Sequence, residues 1–252
     1  MSIRGQVAWV TGGGSGIGLA GATELAKAGC KVIISGRDAA RLEAAARHAS
    51  AHGEVSALPL DVADRGAVKA AAEKLLSTHG VVDILVNSAG TNLPKRFWKE
   101  TDAETFDKVF AINLNGASYT MLATLQAMRA KGAGTVINIA SFVGWYPGYL
   151  TGPAYIASKA ALIALTHSFN IEECVAGLRA TVICPGEVAT PILEKRPVPP
   201  SQDERARMLQ EEDLGRTIRF VAEMPARACI NELVISPVWN RLYIGGEDFK
   251  RK

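Results

Sequence analysis

Short runs of β-branched and other apolar residues alternate with longer amphipathic stretches along most of the chain. Seven runs predict strands at 7–11, 31–35, 55–60, 83–87, 135–140, 180–184 and 232–236. Between most of them, helical spacing and a high content of Ala, Leu, Lys and Glu predict helices at 17–28, 38–51, 64–79, 103–130 and 153–176. Strands that alternate with helices predict an α/β fold, in which helices cover both faces of a doubly wound, seven-stranded parallel sheet in three layers.

No Ser-, Gly- or Pro-rich linker divides the 252 residues, so we expect a single domain over 1–252. The one long irregular segment, at about 187–207, is rich in Pro and in charge. A segment of this length is usually either a functional lid or disordered, and the sequence leaves both open. An apolar run at 160–165 extends around its helix, which predicts burial either in the core or against another subunit.

Composition and charge argue against several classes of protein. With 28 basic and 25 acidic residues the chain carries no strong basic field, so we expect no nucleic-acid partner. No apolar run approaches the roughly 18 residues of a membrane span. Four cysteines without a CxxC pair, and a start without an apolar signal segment, predict a cytoplasmic protein with reduced thiols. No metal site is expected, because His48 and His52 stand four apart without a third ligand.

The first predicted strand runs directly into a glycine-rich turn, TGGGSGIG at 11–18. Glycines let the backbone turn tightly and approach a ligand, and the N-terminus of the next helix offers free N–H groups to a pyrophosphate. This context is typical of a Rossmann-type dinucleotide-binding fold, although a glycine-rich turn without a ligand is the alternative. The candidate cofactor contacts in the turn are Gly12, Gly14, Ser15, Gly16, Ile17 and Gly18.

The end of the second predicted strand bears on the choice of dinucleotide. In a site for NAD, an Asp or Glu at this point bonds the ribose hydroxyls. Here Gly36 holds that position and Arg37 follows it, and a cation without a carboxylate in front of it suits a 2′-phosphate. The sequence therefore predicts NADP(H) in preference to NAD(H). Two features act against this interpretation: the glycine turn has no Lys or Arg, and Asp38, a candidate helix cap, adjoins Arg37.

A tyrosine and a lysine, Tyr155 and Lys159, stand four apart within a helical pattern and so lie on one helix face. A phenol with a pKa of about 10 must titrate nearer neutrality to exchange a proton with an alcohol, and a nearby ammonium favours the phenolate. The pair predicts a proton-transferring tyrosine whose pKa is lowered by Lys159. Taken alone, the spacing also fits an ordinary pair on a helix surface.

Further short motifs follow the predicted strands in order. They are Asp61-Val62, Asn87-Ser88-Ala89-Gly90, Asn113, Ser141 and Pro185-Gly186. Together with the glycine turn, Tyr155 and Lys159, this ordered set resembles the short-chain dehydrogenase/reductase family over about 5–237. The sequence departs from that family at Ser88, where Asn is usual, and at 231–237, where many members carry a Gly-rich ending. The changed ending puts the tetramer contact of such members in doubt here, but not the chemistry.

The resemblance implies a catalytic set of Asn113, Ser141, Tyr155 and Lys159. Tyr155 would exchange the proton with the substrate oxygen, and Ser141 would hydrogen-bond that oxygen. Lys159 would hold the nicotinamide ribose and lower the pKa of Tyr155, while Asn113 would position a water molecule. The nicotinamide would carry the hydride.

The resemblance also implies which residues line the cofactor and the substrate. Cofactor contacts beyond the glycine turn and Arg37 would come from Asp61, Val62, Asn87, Ala89, Gly90, Tyr155, Lys159, Pro185, Gly186, Val188 and Thr190. Substrate contacts would come from Ser141, Val143, Tyr149 and Tyr155. The aromatic residues at 145, 146 and 149 are interpreted either as a substrate wall or as loop packing.

We therefore expect hydride transfer between NADP(H) and a small carbonyl compound or secondary alcohol, as in a ketoreductase or a dehydrogenase of alcohols or 3-hydroxy acids. A homo-oligomer, dimer or tetramer, is expected. A dinucleotide-binding sensor or scaffold without turnover is the alternative from another class, and the complete set of Asn113, Ser141, Tyr155 and Lys159 argues against it. An epimerase or dehydratase on the same fold is a further alternative.

Overall fold

The structure is a computed structural model that describes residues 1–241. Within these residues seven strands pair in parallel, in the order β3-β2-β1-β4-β5-β6-β7. The strands are β1 Val7–Thr11, β2 Lys31–Gly36, β3 Val55–Pro59, β4 Ile84–Asn87, β5 Gly134–Ile139, β6 Leu178–Pro185 and β7 Glu232–Ile235. This confirms the predicted doubly wound parallel sheet. The chain reverses its direction of winding between β1 and β4, which is where ligands bind in folds of this kind.

Helices cover both faces of the sheet. They are α1 Gly16–Lys27, α2 Ala39–Ser50, α3 Arg65–His79, α4 Ala103–Phe110, α5 Gly116–Lys131, α6 Phe142–Trp145, α7 Pro153–Glu173, α8 Gln202–Ala206 and α9 Glu211–Ala222. Successive residues of β1 serve opposite faces, since Val10 packs toward α1, α2 and α9 whereas Trp9 packs toward α3 and α5. The central strands are therefore apolar without alternation, as expected of a sheet buried on both sides. No helix within residues 1–241 has the length and apolar content to span a membrane.

Two helical regions differ from the sequence-based expectation. The helix predicted at 103–130 is interrupted by a π-helical turn at Ala111–Asn115, which joins α4 to α5. Such turns are often found at functional sites, and this one contains Asn113. Helix α9 lies outside the predicted helices, although Leu214, Ile218 and Val221 repeat with helical spacing and are buried. Its amphipathic pattern is present in the sequence, so the helical spacing of these apolar residues could have predicted α9.

A buried polar network ties the centre of the sheet to two helices. Asn87 at the end of β4 donates to Asn138 of β5 at 2.9 Å and accepts from Thr120 of α5 at 2.7 Å. Asn138 in turn donates to Thr166 of α7 at 2.9 Å. Because buried polar groups are costly unless paired, this network sets the position of α7 against the sheet.

Candidate active site

A cleft of about 410 Å³ opens beyond the carboxyl ends of the strands. Gly36 and Arg37, which follow β2, line the cleft on one side of β1. Residues that follow β5 and β6 line the cleft on the other side, so we refer to a β2 end and a Tyr155 end. The cleft thus extends across the point where the winding reverses.

Most of the predicted site residues line this one cleft. They are Gly12, Gly14, Ser15, Gly16, Ile17, Arg37, Asp61, Val62, Ala89, Gly90, Ser141, Val143, Tyr155, Lys159, Pro185, Gly186, Val188 and Thr190. Four predicted residues are not among its lining: Gly18, Asn87, Asn113 and Tyr149. The first three lie behind the lining and support it, whereas Tyr149 lines a separate pocket beside Phe97.

The glycine turn has the geometry of a cradle for a phosphate group. Gly12 has a φ of +69°, and a Cβ there would lie 2.7 Å from the backbone nitrogen of Ala89. Helix α1 begins at Gly16 with no acidic residue in its first turn, so its free N–H groups face the cleft without a competing carboxylate. Gly18 lies beneath the turn, where a Cβ would lie 2.4 Å from the carbonyl oxygen of Gly12. The turn therefore fits a dinucleotide pyrophosphate, with Gly18 in a supporting position.

The β2 end of the cleft is more basic than the sequence pattern indicates. Asp38 is the N-cap of α2, accepting from the backbone nitrogen of Arg41 at 3.0 Å, and the Arg41 side chain lines the cleft with Arg37. Lys195 also lines the cleft and donates to Thr91 at 3.1 Å. Burial, followed by the positive charges of Arg37 and Arg41, lowers the pKa of Lys195. Sequence reasoning identified only the first of these three cations, because the other two reach the site through a helix turn and a distant loop.

Ser141 and Tyr155 meet at the other end of the cleft. Ser141 is the N-cap of α6, accepting from the backbone nitrogen of Val143 at 3.4 Å, and it shares a side-chain hydrogen bond with Tyr155. Burial raises the pKa of Tyr155, while the hydrogen bond with Ser141 and the charges of Arg196 and Arg96 act to lower it. Burial outweighs these positive charges, which come from arginines, and the effect of Lys159 on this pKa stays a prediction.

Lys159 is buried one turn along α7 from Tyr155. Its Nζ donates to the carbonyl oxygen of Ile139 at 2.7 Å and lies 5.7 Å from the centre of the Tyr155 ring. Burial lowers the pKa of Lys159 to about 8. A Cβ on Gly90 would lie 3.5 Å from this Nζ, so Gly90 leaves the ammonium open to the cleft.

Asn113 lies behind the catalytic pair, within the π-helical turn. Its Oδ1 accepts from the backbone nitrogen of Thr91 at 2.7 Å, and its Nδ2 donates to the carbonyl oxygen of Thr91 at 3.0 Å. The same Nδ2 donates to Ser158 of α7 at 3.1 Å. Asn113 therefore connects the segment after β4 to the helix that carries Tyr155 and Lys159.

The predicted aromatic contacts do not lie in the cleft. Tyr149 is 69% exposed and stacks on Phe97 at 5.1 Å, where both line a separate shallow pocket. Trp145 and Tyr146 are exposed and pack edge-on against Phe142, which matches the loop-packing interpretation. A short 3₁₀ turn at Tyr149–Thr151 instead brings the next two residues to the cleft. The position of Tyr149 as a residue of the cleft is thus corrected, because its ring stacks on Phe97 and lines the separate pocket.

The irregular segment at 187–207 forms one wall of the cleft. A 3₁₀ turn at Pro191–Lys195 and helix α8 lie within it. Its lining residues are Glu187, Val188, Thr190, Pro191, Ile192, Leu193, Lys195 and Arg196. Arg96, from the segment after β4, lines the cleft beside this wall. Within the described part of the chain, no three His, Cys, Asp or Glu side chains are grouped so as to hold a metal ion.

Comparison with known proteins agrees with this geometry. The family model for short chain dehydrogenase matches residues 6–199. The chain belongs to this family. An uncharacterized oxidoreductase of Staphylococcus saprophyticus subsp. saprophyticus is 34% identical to this short-chain dehydrogenase over 241 residues, which cover 94% of this chain and 100% of the relative.

Solved structures resemble this short-chain dehydrogenase over nearly its whole length. An alcohol dehydrogenase from the archaeon Thermococcus sibiricus, in complex with 5-hydroxy-NADP, has a TM-score of 0.84 at 28% identity and covers 94% of this chain and 99% of its own. A 3-ketoacyl-(acyl-carrier-protein) reductase from Brucella melitensis, in complex with NADH, has a TM-score of 0.84 at 28% identity and covers 93% of this chain and 98% of its own. The protein is an oxidoreductase of the short-chain type with a Rossmann-like fold.

Proposed function

We propose that this short-chain dehydrogenase transfers a hydride between NADP(H) and a carbonyl compound or secondary alcohol, with Tyr155 as the acid and base. One observation carries the proposal: Ser141, Tyr155 and Lys159 line the same cleft as the glycine turn. A proton donor, a hydroxyl that can bond the substrate oxygen and a cradle for a dinucleotide are thus available to one bound pair of ligands.

The residues of the cleft fit a nicotinamide dinucleotide phosphate. The glycine turn and the N-terminus of α1 would hold the pyrophosphate, and Lys159 would bond the nicotinamide ribose. Arg37 and Arg41 would hold the 2′-phosphate, which has room beside Gly36 because this residue has no side chain. When bound, the nicotinamide supplies or accepts the hydride. Solved structures similar to this chain contain either NADP or NADH, so they favour neither cofactor. The preference for NADP(H) is supported by Arg37 and Arg41.

The protonation states of the two central residues favour reduction of a carbonyl at neutral pH. Burial raises the pKa of Tyr155, so its hydroxyl holds a proton that it can donate to the carbonyl oxygen. Ser141 would keep that oxygen beside the phenol through a second hydrogen bond. Lys159, with a pKa of about 8, remains mostly charged at pH 7 and can donate to the ribose hydroxyls.

The test is to follow NADPH absorbance with a panel of ketones, keto acids and diketones, and NADP⁺ reduction with the corresponding alcohols. We expect turnover with at least one carbonyl substrate. Tight NADPH binding without turnover of any substrate would contradict the proposal and favour a dinucleotide sensor.

The proposal includes a homo-oligomer. Exposed apolar side chains support it, namely Leu122 on α5, Ile171 on α7 and Val175 after α7. Burial of these side chains against a second copy of the chain would remove apolar surface from water. Light scattering coupled to gel filtration should give a dimer or tetramer, and a monomer at micromolar concentration would contradict this part. A cytoplasmic location is also proposed, supported by four unpaired cysteines among the described residues.

A further inference from the structure

Arg96 is a buried cation at the Tyr155 end of the cleft. Its residue is 4% exposed, and it lines the same cleft as Ser141 and Tyr155. Nε donates to the carbonyl oxygen of Leu93 at 2.9 Å, and one terminal nitrogen, Nη2, donates to the carbonyl oxygen of Lys195 at 2.6 Å. These bonds hold the guanidinium in one place while they leave its charge uncompensated.

The backbone also holds Arg96 in position. A Cβ on Gly152 would lie 2.0 Å from the carbonyl oxygen of Arg96, so the segment before α7 packs directly against it. Asn92 donates to the carbonyl oxygen of Thr151 at 2.9 Å and reinforces the same contact. Arg96 is therefore built into the wall of the cleft by segments from three parts of the chain.

No carboxylate within residues 1–241 forms an ion pair with Arg96, and Glu100 acts on it only at longer range. Its neighbour Arg196 pairs with Glu187 at 2.9 Å, and Arg241 contacts both Glu187 and Glu204, so these two carboxylates are already paired with other arginines. Burial and the charge of Arg196 lower the pKa of Arg96. A buried charge without a partner is costly, so this end of the cleft is complementary to an anion.

The phosphates of the cofactor do not account for this cation. The glycine turn lies at the start of α1 and Arg37 follows β2, whereas Arg96 and Arg196 act electrostatically on Tyr155. In the sheet order, β4 and β6, which precede these two arginines, lie across β1 from β2. An anionic group that pairs with Arg96 would therefore belong to the substrate that reacts at Tyr155.

We propose that the substrate is a small keto acid or hydroxy acid whose carboxylate is bound by Arg96. This inference rests on the function proposed above and names the class of substrate for it. The guanidinium would bind the carboxylate through Nη1, which has no hydrogen-bond partner among the described residues. Arg196, whose Nη1 donates to Glu187 at 2.9 Å, adds positive charge near Tyr155.

The reaction balances with the proposed cofactor and one proton from solvent, which returns Tyr155 to its neutral form after each turnover. In reduction, the hydride of NADPH forms a C–H bond at the carbonyl carbon, and the carbonyl oxygen takes the proton of Tyr155. NADPH is thereby oxidised to NADP⁺ and the keto acid is reduced to a hydroxy acid. The carboxylate of the substrate is unchanged, so Arg96 acts in binding and orientation and transfers no proton.

The test compares each acid with its uncharged methyl ester. We would measure kcat/KM with NADPH for 2-oxobutanoate, 3-oxobutanoate and 4-oxopentanoate and for their methyl esters. At least one acid should exceed its ester by about 100-fold, because a charged hydrogen-bonded pair discriminates strongly against a neutral group. Comparing kcat/KM for dihydroxyacetone phosphate and dihydroxyacetone tests whether the anion is a phosphate instead. A preference for the charged substrate in this pair alone would overturn the proposal of a carboxylate.

Variants then assign the preference to Arg96. Arg96→Gln should raise the KM of the preferred acid about 100-fold while it changes kcat/KM of the ester by less than about threefold. Arg96→Lys keeps the charge without the planar fork and should recover part of the loss. The control is Arg47→Gln, an exposed arginine of α2, which should change neither value. Thermal unfolding with and without NADPH shows whether each variant is folded.

Binding measurements separate this inference from the proposed function. With NADP⁺ present, the preferred acid should raise the unfolding temperature of the wild-type protein, and its ester should not; Arg96→Gln should remove the effect. Turnover of neutral ketones without preference for any acid would overturn the inference and leave the proposed function intact. If no carbonyl compound turns over, the proposed function fails. A rise in unfolding temperature with an acid that is lost in Arg96→Gln would still support a carboxylate site at Arg96, and no rise with any acid would overturn it.

Discussion

Both ends of the cleft are lined by cations, but they differ in exposure. At the β2 end, Arg37 and Arg41 are exposed. At the Tyr155 end, Arg96 is 4% exposed and the side chain of Arg196 is 16% exposed. Exposed cations cost little to maintain and adjust to a phosphate, whereas a buried guanidinium is costly until an anion pairs with it. Under the two proposals made above, the first end would hold a cofactor phosphate by exposed charge, and the second would select among substrates.

The largest effect should come from removing the proton donor itself. Tyr155→Phe keeps the ring beside Lys159 but removes the hydroxyl, so kcat should fall about 1,000-fold. The dissociation constant of NADPH should change by less than about threefold, since the β2 end is untouched. Single-turnover kinetics and fluorescence titration measure the two effects. Tyr146→Phe, at an exposed tyrosine nearby, is the control, and retained activity in Tyr155→Phe would refute the assignment.

A glycine pair tests how firmly Arg96 is held. Gly152 and Gly80 have φ values of +75° and +79°, but only at Gly152 would a Cβ meet another backbone, that of Arg96. Both alanine variants should lose about 1–3 kcal/mol of unfolding free energy from backbone strain, and Gly152→Ala about 2 kcal/mol more. Urea denaturation measures the difference. Equal losses would mean that the segment at Gly152 does not hold Arg96 in place.

The exposed end predicts cofactor choice. Arg37→Ala should raise the KM of NADPH about 20-fold, because a charged hydrogen bond to the 2′-phosphate is lost. The KM of NADH, which lacks this phosphate, should change by less than about threefold. Steady-state kinetics with both cofactors give the comparison, and Arg47→Ala, at an exposed arginine of α2, is the control. Equal changes for both cofactors would show that Arg37 does not read the 2′-phosphate.

The smallest effect concerns the pH dependence of cofactor binding. Burial lowers the pKa of Lys159 to about 8, and ribose hydroxyls that accept a hydrogen bond from its ammonium would raise that pKa in the complex. The complex then retains a proton that the free protein loses, so NADPH binding should weaken above pH 8, by up to about tenfold per pH unit. Binding should be nearly constant between pH 7 and 8.

Fluorescence titration from pH 7 to 10 measures this dependence. Lys159→Met, which has no charge to lose, should bind NADPH more weakly and with a flat profile. A flat profile in the wild-type protein would contradict a contact between Lys159 and the bound cofactor.

Much of the fold follows from local patterns in the chain. The predicted strands differ from the observed ones by no more than two residues at either end, because apolar runs bounded by turn residues mark buried strands directly. The π-helical turn at Ala111–Asn115 escaped prediction, since helical periodicity continues across it. Tyr149 was placed wrongly for a related reason: proximity to Ser141 in sequence does not determine which way a ring faces after a tight turn.

The sequence by itself determined the parallel sheet, the glycine turn at its first crossover and the placement of Tyr155 and Lys159 on one helix face. Each of these depends on residues only a few positions apart, whose spacing acts through backbone geometry. Only the tertiary structure decided the electrostatics of the cleft. Arg96 donates to the carbonyl oxygen of a residue 99 positions away, and burial of Tyr155 sets the direction of its pKa. Burial and long-range contacts arise from packing, which no local pattern encodes.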